Sequence, residues 1–363
     1  MEQYARLEDF IELIGDSEAT LRNCYAETFE DISSEEFVKM ILVDAAFVIM
    51  VILKRRFSAF RGRDDRIFSR PWMIGEVGID LCMLENQLPF FILQDLLKLS
   101  KIFNPHKESL LIMLVHEFLR GVWDSWATED YVEILNSSKI EHLVDFLRIY
   151  QQPTRPHRPK ILKRLTTSTA KTLHQAGVKF QSGSDQKLLH IAFNKEILVI
   201  PQFRISEDTE ILLRNLQAFE QCHCGDNYVG NYIHMMDLLV DSPEDVEILV
   251  RNGIIESWLS NNEAVATLFY NLSRENIVSR KNFYFSDVLE DLNNYSGRDW
   301  PRWKANLRQN YFQNPWSIIS VIAAAFLLLL TIIQAVHVFY YSNRLESTLS
   351  IFSFPIESYN IVE

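Results

Sequence analysis

The residues best placed to do chemistry are acids and amides set among apolar neighbours. Asp44 interrupts the run "MILVDAAFVIM", and Glu85, Asn86 and Gln87 separate two apolar runs in "DLCMLENQLPFFIL". A carboxyl group held among apolar side chains has a raised pKa and can serve as a general acid or base. Asp44 and Glu85 therefore define one functional candidate, a membrane-tethered hydrolase or transferase using buried carboxylates. The competing reading is structural. Glu85 has no second carboxylate or histidine at a telling distance, and Pro89, lacking an amide hydrogen, suits the first turn of a following helix. Polar side chains just before it can then bond the free backbone ends of two helices. The structural role is the expectation carried forward for this trio.

Other chemical patterns are incomplete. His116-Glu117 opens like the zinc-protease pattern, but Arg120 stands where the second histidine must be. "CHCG" at Cys222–Gly225 offers three ligands with His234 as the nearest further candidate and no second cysteine pair, whereas zinc sites need four workable ligands. The chain has eleven glycines, no phosphate-cradling loop and no Gly-x-Ser-x-Gly elbow. No catalytic residue, metal or cofactor is expected.

The elements that would position these residues read as helices. "LEDFIELI", "EEFVKMILVDAAFVIMVILKRRF", "SLLIMLVHEFLRGVW" and "IEHLVDFLRIYQ" repeat apolar residues at three and four. Ser33 or Ser34 followed by Glu36 is a helix-start signal, and the helix after it, apolar nearly all round from Met40 to Leu53, is expected at the centre of a bundle. "QQPTRPHRPKILKR" then spaces Pro153, Pro156 and Pro159 by three and adds basic residues, the signature of an exposed polyproline-like linker. "VKFQ", "LLHIAFN" and "EILVIPQFRI" are short β-like runs that suggest a small antiparallel sheet. Helices resume with "DTEILLRNLQAFEQ", "NYIHMMDLLV", "SPEDVEILVRNGII" and "EAVATLFYNLS". Ser242-Pro243-Glu244-Asp245 opens one of these, and Gly253 closes it.

The net charge of −12 excludes a general nucleic-acid binder, which needs a basic face to displace counterions. Four scattered cysteines suit a reducing compartment, and the acidic N-terminus is no signal peptide. From Ile318 to Tyr341, however, no residue carries a formal charge, and that run as a helix is about 36 Å long against a hydrocarbon core of about 30 Å. Asn314-Pro315 is a helix start. Trp316 at one end and Tyr340 and Tyr341 at the other have the amphipathic rings that favour the headgroup boundary. Thr331, Gln334 and His337 follow one another at spacings of three and could bond across helices in a homo-oligomer, or reach water at the far interface. Arg298, Arg302, Lys304 and Arg308 precede the run and Arg344 alone follows it, which places the body in the cytosol. Asn136, Asn271 and Asn294 head Asn-x-Ser patterns, which would matter only if the body were translocated.

Taken together, "FVKMILVDAAF", "DLCMLENQLPFFIL", "HLVDFLR", "AGVKF", "LVIPQFRI", "LLRNLQAFEQ", "MMDLLV", "DVEILVRNGII", "VATLF", "NPWSIIS" and "LLLLTIIQ" resemble, in order and spacing, the plant family called domain of unknown function 247. The resemblance covers nearly the whole chain. It implies helical, membrane-anchored plant proteins without an established enzymatic activity, some of which act as pollen-side recognition determinants in grass self-incompatibility. This chain departs from the family in three places: it lacks an upstream Gly-Pro-Tyr-His-His segment, carries Ala45 where glycine is usual, and has a longer tail after Asn343.

The sequence thus predicts a mainly α protein: a helical body with a small antiparallel β-sheet and one C-terminal transmembrane helix. The expected divisions are an N-terminal helical part at 1–150, a basic Pro-rich linker at 151–168, a sheet and helical part at 169–313, an anchor at 314–341 and a short tail at 342–363. The expected role is recognition or signalling at a membrane through an unidentified protein partner.

Overall fold

The structure, a computed structural model, describes residues 5–102, 110–123, 126, 139–153, 160–184, 187–297 and the helix 315–351, with side chains in that helix at 319, 320 and 322–338. The chain divides into two compact units, Met1–Arg298 and Asp299–Glu363.

In the first unit α1 (Leu7–Arg22) and α2 (Ser34–Arg56) pack as a pair. Ser33 caps α2 as its sequence foretells: its side chain accepts from the Glu36 amide at 3.3 Å while the Glu36 carboxylate accepts from the Ser33 amide at 3.2 Å. α3 (Met73–Asp80), a 3-10 turn (Leu84–Asn86), α4 (Phe90–Leu99) and α5 (Leu110–Arg120) follow. α2 lies against α1, α4 and α5, so Phe37, Ile41, Ala45, Val48 and Ile52 are buried. Met40, Val43 and Phe47, one to two turns apart on another face, remain exposed. The expected central helix is therefore one-sided, because its neighbours leave that face open.

The central position belongs to α6 (Leu143–Gln151). Every residue of it except Arg148 is buried, Asp145 and Gln151 included. Gln151 is satisfied there by donating to the Trp126 carbonyl at 2.7 Å and accepting from the Leu188 amide at 2.9 Å. A partner for both its nitrogen and its oxygen is what makes a buried amide tolerable.

Beyond α6 come α7 (Ala170–Gln175), strands β1 (Lys179–Gly183), β2 (Ala192–Asn194), β3 (Ile197–Pro201) and β4 (Phe203–Ile205), then α8 (Thr209–His223), α9 (Tyr228–Leu239), α10 (Pro243–Arg251), β5 (Ile255–Ser257), α11 (Asn262–Arg274) and α12 (Ser286–Ser296). The expected antiparallel sheet is instead mixed. β3 is central, antiparallel to β2 and parallel to β1. A two-residue turn at Lys195 and Glu196, both at positive φ, closes β2 onto one edge of β3, so β1 takes the other edge. β4 leaves this sheet after Pro201, which has no amide hydrogen to extend the ladder, and pairs in parallel with the distant β5. α10 opens on Ser242-Pro243 with Asp245 completing the cap, and Gly253 at φ +69° ends the helical run as the sequence indicates.

The described end of the basic segment is not a free linker. The Lys160 amide donates to Ser286 Oγ at 2.9 Å, its ammonium pairs with Asp287 at 3.0 Å, and Leu162 is buried. Pro156 and Pro159 lie outside the described residues.

In the second unit the described residues form one helix, α13 (Pro315–Ile351), which begins at the expected proline and runs on past Tyr341. Among the described residues no helix is long and apolar enough to cross a membrane; the unbroken stretch of described side chains in α13 is 322–338.

Candidate functional site

The junction before α4 is built as a knot of amide bonds. Gln87 Nε2 donates to the carbonyls of Leu81 at 2.9 Å and Met83 at 2.5 Å, just beyond the end of α3, and Gln87 Oε1 accepts from the Val144 amide at 3.1 Å in the first turn of α6. Asn86 Nδ2 donates to the Asp80 carbonyl at 2.9 Å, the last residue of α3. Asn86 and Gln87, two of the trio expected to bond free backbone ends, thus reach the ends of two helices, α3 and α6 rather than α3 and α4. Glu85 projects from the 3-10 turn into solvent. Asp44 is also exposed, on the open face of α2, and the water it does lose raises its carboxyl pKa. The expectation that both are buried is thus corrected: the turn and the one-sided packing of α2 leave them outside.

Beside the knot lies a cleft of 1040 Å³. Its walls are the end of α1 and the loop after it (Cys24, Tyr25), the 84–91 junction (Gln87, Phe91), the entry to α6 (His142) and the last turns of α8 (Phe219, His223). Neither Asp44 nor Glu85 lines it. Tyr25 donates its hydroxyl to the Gln87 carbonyl at 3.3 Å, and burial pushes the phenol up to about 12, with Cys24 and Asp44 adding to the effect. Partial desolvation raises the thiol of Cys24, an exposed residue that donates to the Thr20 carbonyl at 3.3 Å. His142 is the N-cap of α6, its Nδ1 accepting from the Asp145 amide at 3.1 Å, which places any ring proton on Nε2. Desolvation pulls its pKa down to about 4, against the opposing pull of Asp145. Around neutral pH these three groups are an uncharged imidazole, a thiol and a phenol. None of these three is poised to accept or lose a proton in that range.

Two groups the sequence reading passed over support the cleft from behind. Asp145 accepts from the Glu141 amide at 3.0 Å and pairs with Arg148 at 2.8 Å, and the Arg148 guanidinium lies 5.7 Å from the centre of the Phe219 ring. Glu220 is buried next to Phe219. One of its oxygens accepts from the amides of Val229 at 2.8 Å and Gly230 at 3.2 Å, capping the first turn of α9, while Oε1 has no partner. Desolvation outweighs those amide bonds and lifts its pKa to about 7. The signal for Glu220 was weak, because a glutamate within "LLRNLQAFEQ" reads as part of a solvated helix face.

Among the described residues no three His, Cys, Asp or Glu side chains converge as a metal site. Cys222 is exposed, Cys224 half-buried, and His234 packs its ring against Phe283 at 5.7 Å. In α13 the Thr331 hydroxyl donates to the Leu327 carbonyl at 2.8 Å within its own helix, and Gln334 and His337 are exposed. The side chains of Trp316, Tyr340 and Tyr341 lie outside the described residues.

This chain belongs to the plant family DUF247, described as plant protein of unknown function, whose match runs from residue 1 to residue 330. It is 28% identical over 352 residues to the UPF0481 protein At3g47200 of Arabidopsis thaliana, covering 90% of this chain and 72% of the relative. It is also 27% identical over 180 residues to the putative UPF0481 protein At3g02645 of the same plant, covering 49% of this chain and 34% of the relative. No solved structure matches it.

Proposed function

We propose that the protein is held to a membrane by α13 and presents its helical body for recognition of a partner protein. The observation that carries this reading is the chemistry of α13. Its large apolar side chains from Ile319 to Val338 are 41% to 67% exposed on every side of the helix, and no charge interrupts the sequence from Ile318 to Tyr341. A surface this apolar is matched by the hydrocarbon of a bilayer. Thr331 satisfies its hydroxyl within the helix, as a hydroxyl in hydrocarbon must.

The cleft beside Gln87 supports a binding role, since Tyr25, Cys24 and His142 stay uncharged there and Phe91 and Phe219 add apolar wall. The flanking charges favour a cytosolic body. Asn271 and Asn294 lie inside α11 and α12 rather than on the surface loops that glycosylation uses, in keeping with that orientation.

Alkaline carbonate extraction of the full chain from plant membranes tests the proposal. The protein should stay in the pellet and be released only by detergent, and introducing arginine at Leu328 and Leu329 together should move it to the supernatant. Release of the unaltered chain by carbonate would refute the anchor.

A further inference from the structure

We infer that residues 54–72 form a docking face for the anionic surface of a lipid bilayer, a contact made by the body and independent of α13. The stretch "KRRFSAFRGRDDRIFSRPW" holds seven basic residues against Asp64 and Asp65, a net charge of +5 in a chain of −12, leaving −17 for the rest. So concentrated a reversal of sign gives the body one stretch that an anionic surface attracts while the rest of the chain is net repelled.

The stretch is a built structure. Asp65 Oδ1 accepts from the amides of Ile67 at 3.1 Å and Phe68 at 3.0 Å, and its Oδ2 takes the Lys54 ammonium at 2.7 Å. Arg61 donates to the carbonyls of Lys54 at 2.7 Å and Arg55 at 3.1 Å, closing the end of α2, and its guanidinium stands 4.7 Å from the centre of the Phe68 ring. Lys54 is thereby neutralised, and Arg56 is paired with Glu117 at 2.8 Å. Arg63, Arg66 and Arg70 are exposed, and among the described residues they form no ion pair. Lys54, Arg56 and Arg61 are thus engaged within the body, and Arg63, Arg66 and Arg70 are presented to solvent.

The choice of a bilayer over an acidic protein rests on the aromatics. Trp72 is 64% exposed and Phe60 36% exposed at the ends of the same loop. Arginines that reach phosphate, with an indole that enters the headgroup layer, match the two chemistries of a bilayer surface. The Pro-rich segment, the more obvious basic run, is a poorer candidate because Lys160 is already held by Asp287 and Glu290.

The test uses the full chain reconstituted with vesicles of phosphatidylcholine alone and with about 30% phosphatidylserine, an anionic content chosen for a strong surface potential. Hydrogen exchange of the peptides covering 58–72 is followed in each. The inference expects exchange there to slow several-fold in the anionic vesicles only, to recover in high salt, and to stay fast when Arg63, Arg66 and Arg70 are all changed to glutamate. Peptides from α6 report whether that variant is folded; if they do not match the wild type, Trp72→Ser serves instead and should reduce the protection. Equal exchange in both vesicles would overturn the inference. So would equal slowing by soluble polyglutamate without lipid, which would assign the face to an acidic protein. Failure of the α13 anchor reads differently: the chain would then leave neutral vesicles on flotation yet still float with anionic ones.

Discussion

Gln87 shows how much one amide can hold. It joins the end of α3 to the start of α6 through three side-chain bonds. Changing it to leucine strands two carbonyls and one amide, at a cost of about 1 to 3 kcal/mol for each group that stays buried. Gln87→Leu should therefore lower stability by roughly 2 to 4 kcal/mol in urea unfolding, while Glu85→Gln, at an exposed position, should stay within about 0.5 kcal/mol of the wild type. A large effect of Glu85→Gln would revive a functional role for that carboxylate. Gln87 was legible because it stands between two apolar runs just before Pro89. Glu220 was not, because its burial comes from the packing of α9 onto α8, which no local pattern records.

Glu220 and His142 should also leave opposite marks on stability as a function of pH. The Glu220 carboxyl is raised from 4.5 to about 7, so between those values the folded chain binds a proton that the unfolded chain has lost, and stability falls as pH rises. Relative to Glu220→Gln, the wild type should lose about 2 to 3 kcal/mol between pH 4.5 and pH 8. His142 is lowered from 6.5 to about 4, so there the unfolded chain binds the extra proton. Its contribution is complete above pH 6.5 and is lost as pH falls towards 4. His142→Asn, which retains a capping oxygen for the Asp145 amide, should flatten that acid limb in thermal melts taken across the range.

At the scale of elements, caps and periodicity were readable and partners were not. Ser33 with Glu36, Ser242-Pro243 with Asp245, and Gly253 all stand where their local chemistry sets a helix boundary. The direction of β1 relative to β3 is a different kind of fact: it depends on which edge the β2–β3 turn leaves open, and "VKFQ" alone carries no sign of it. The one-sided packing of α2 is not legible in sequence for the same reason, since an all-apolar helix does not announce which face its neighbours will cover. One close approach gives a direct test of helix packing. A Cβ on Gly78 in α3 would lie 2.4 Å from the Val122 side chain just after α5. Gly78→Ala should therefore destabilise by about 1 to 3 kcal/mol despite alanine's better helix propensity, and a stabilised variant would show that the two segments are not packed this way.

The whole molecule combines an acidic body, a cleft walled by Tyr25, Gln87, His142 and Phe219, and a helix whose described apolar side chains are exposed. The cleft came into view only with the fold, because its walls are contributed by residues near 24, 87, 142 and 219, far apart in sequence. The apolar helix was legible from composition alone, since a long uncharged run needs no tertiary information to declare itself. Placing it in lipid is the claim on which the proposed function depends. The most direct measurement is collision of spin labels, placed one at a time from 322 to 338 of the full chain in bilayers, with oxygen and with a water-soluble nickel complex. The account predicts high oxygen and low nickel accessibility on every face, deepest near Leu328. Nickel collisions along the helix, or protection repeating every three to four residues as in a helix packed on protein, would contradict it.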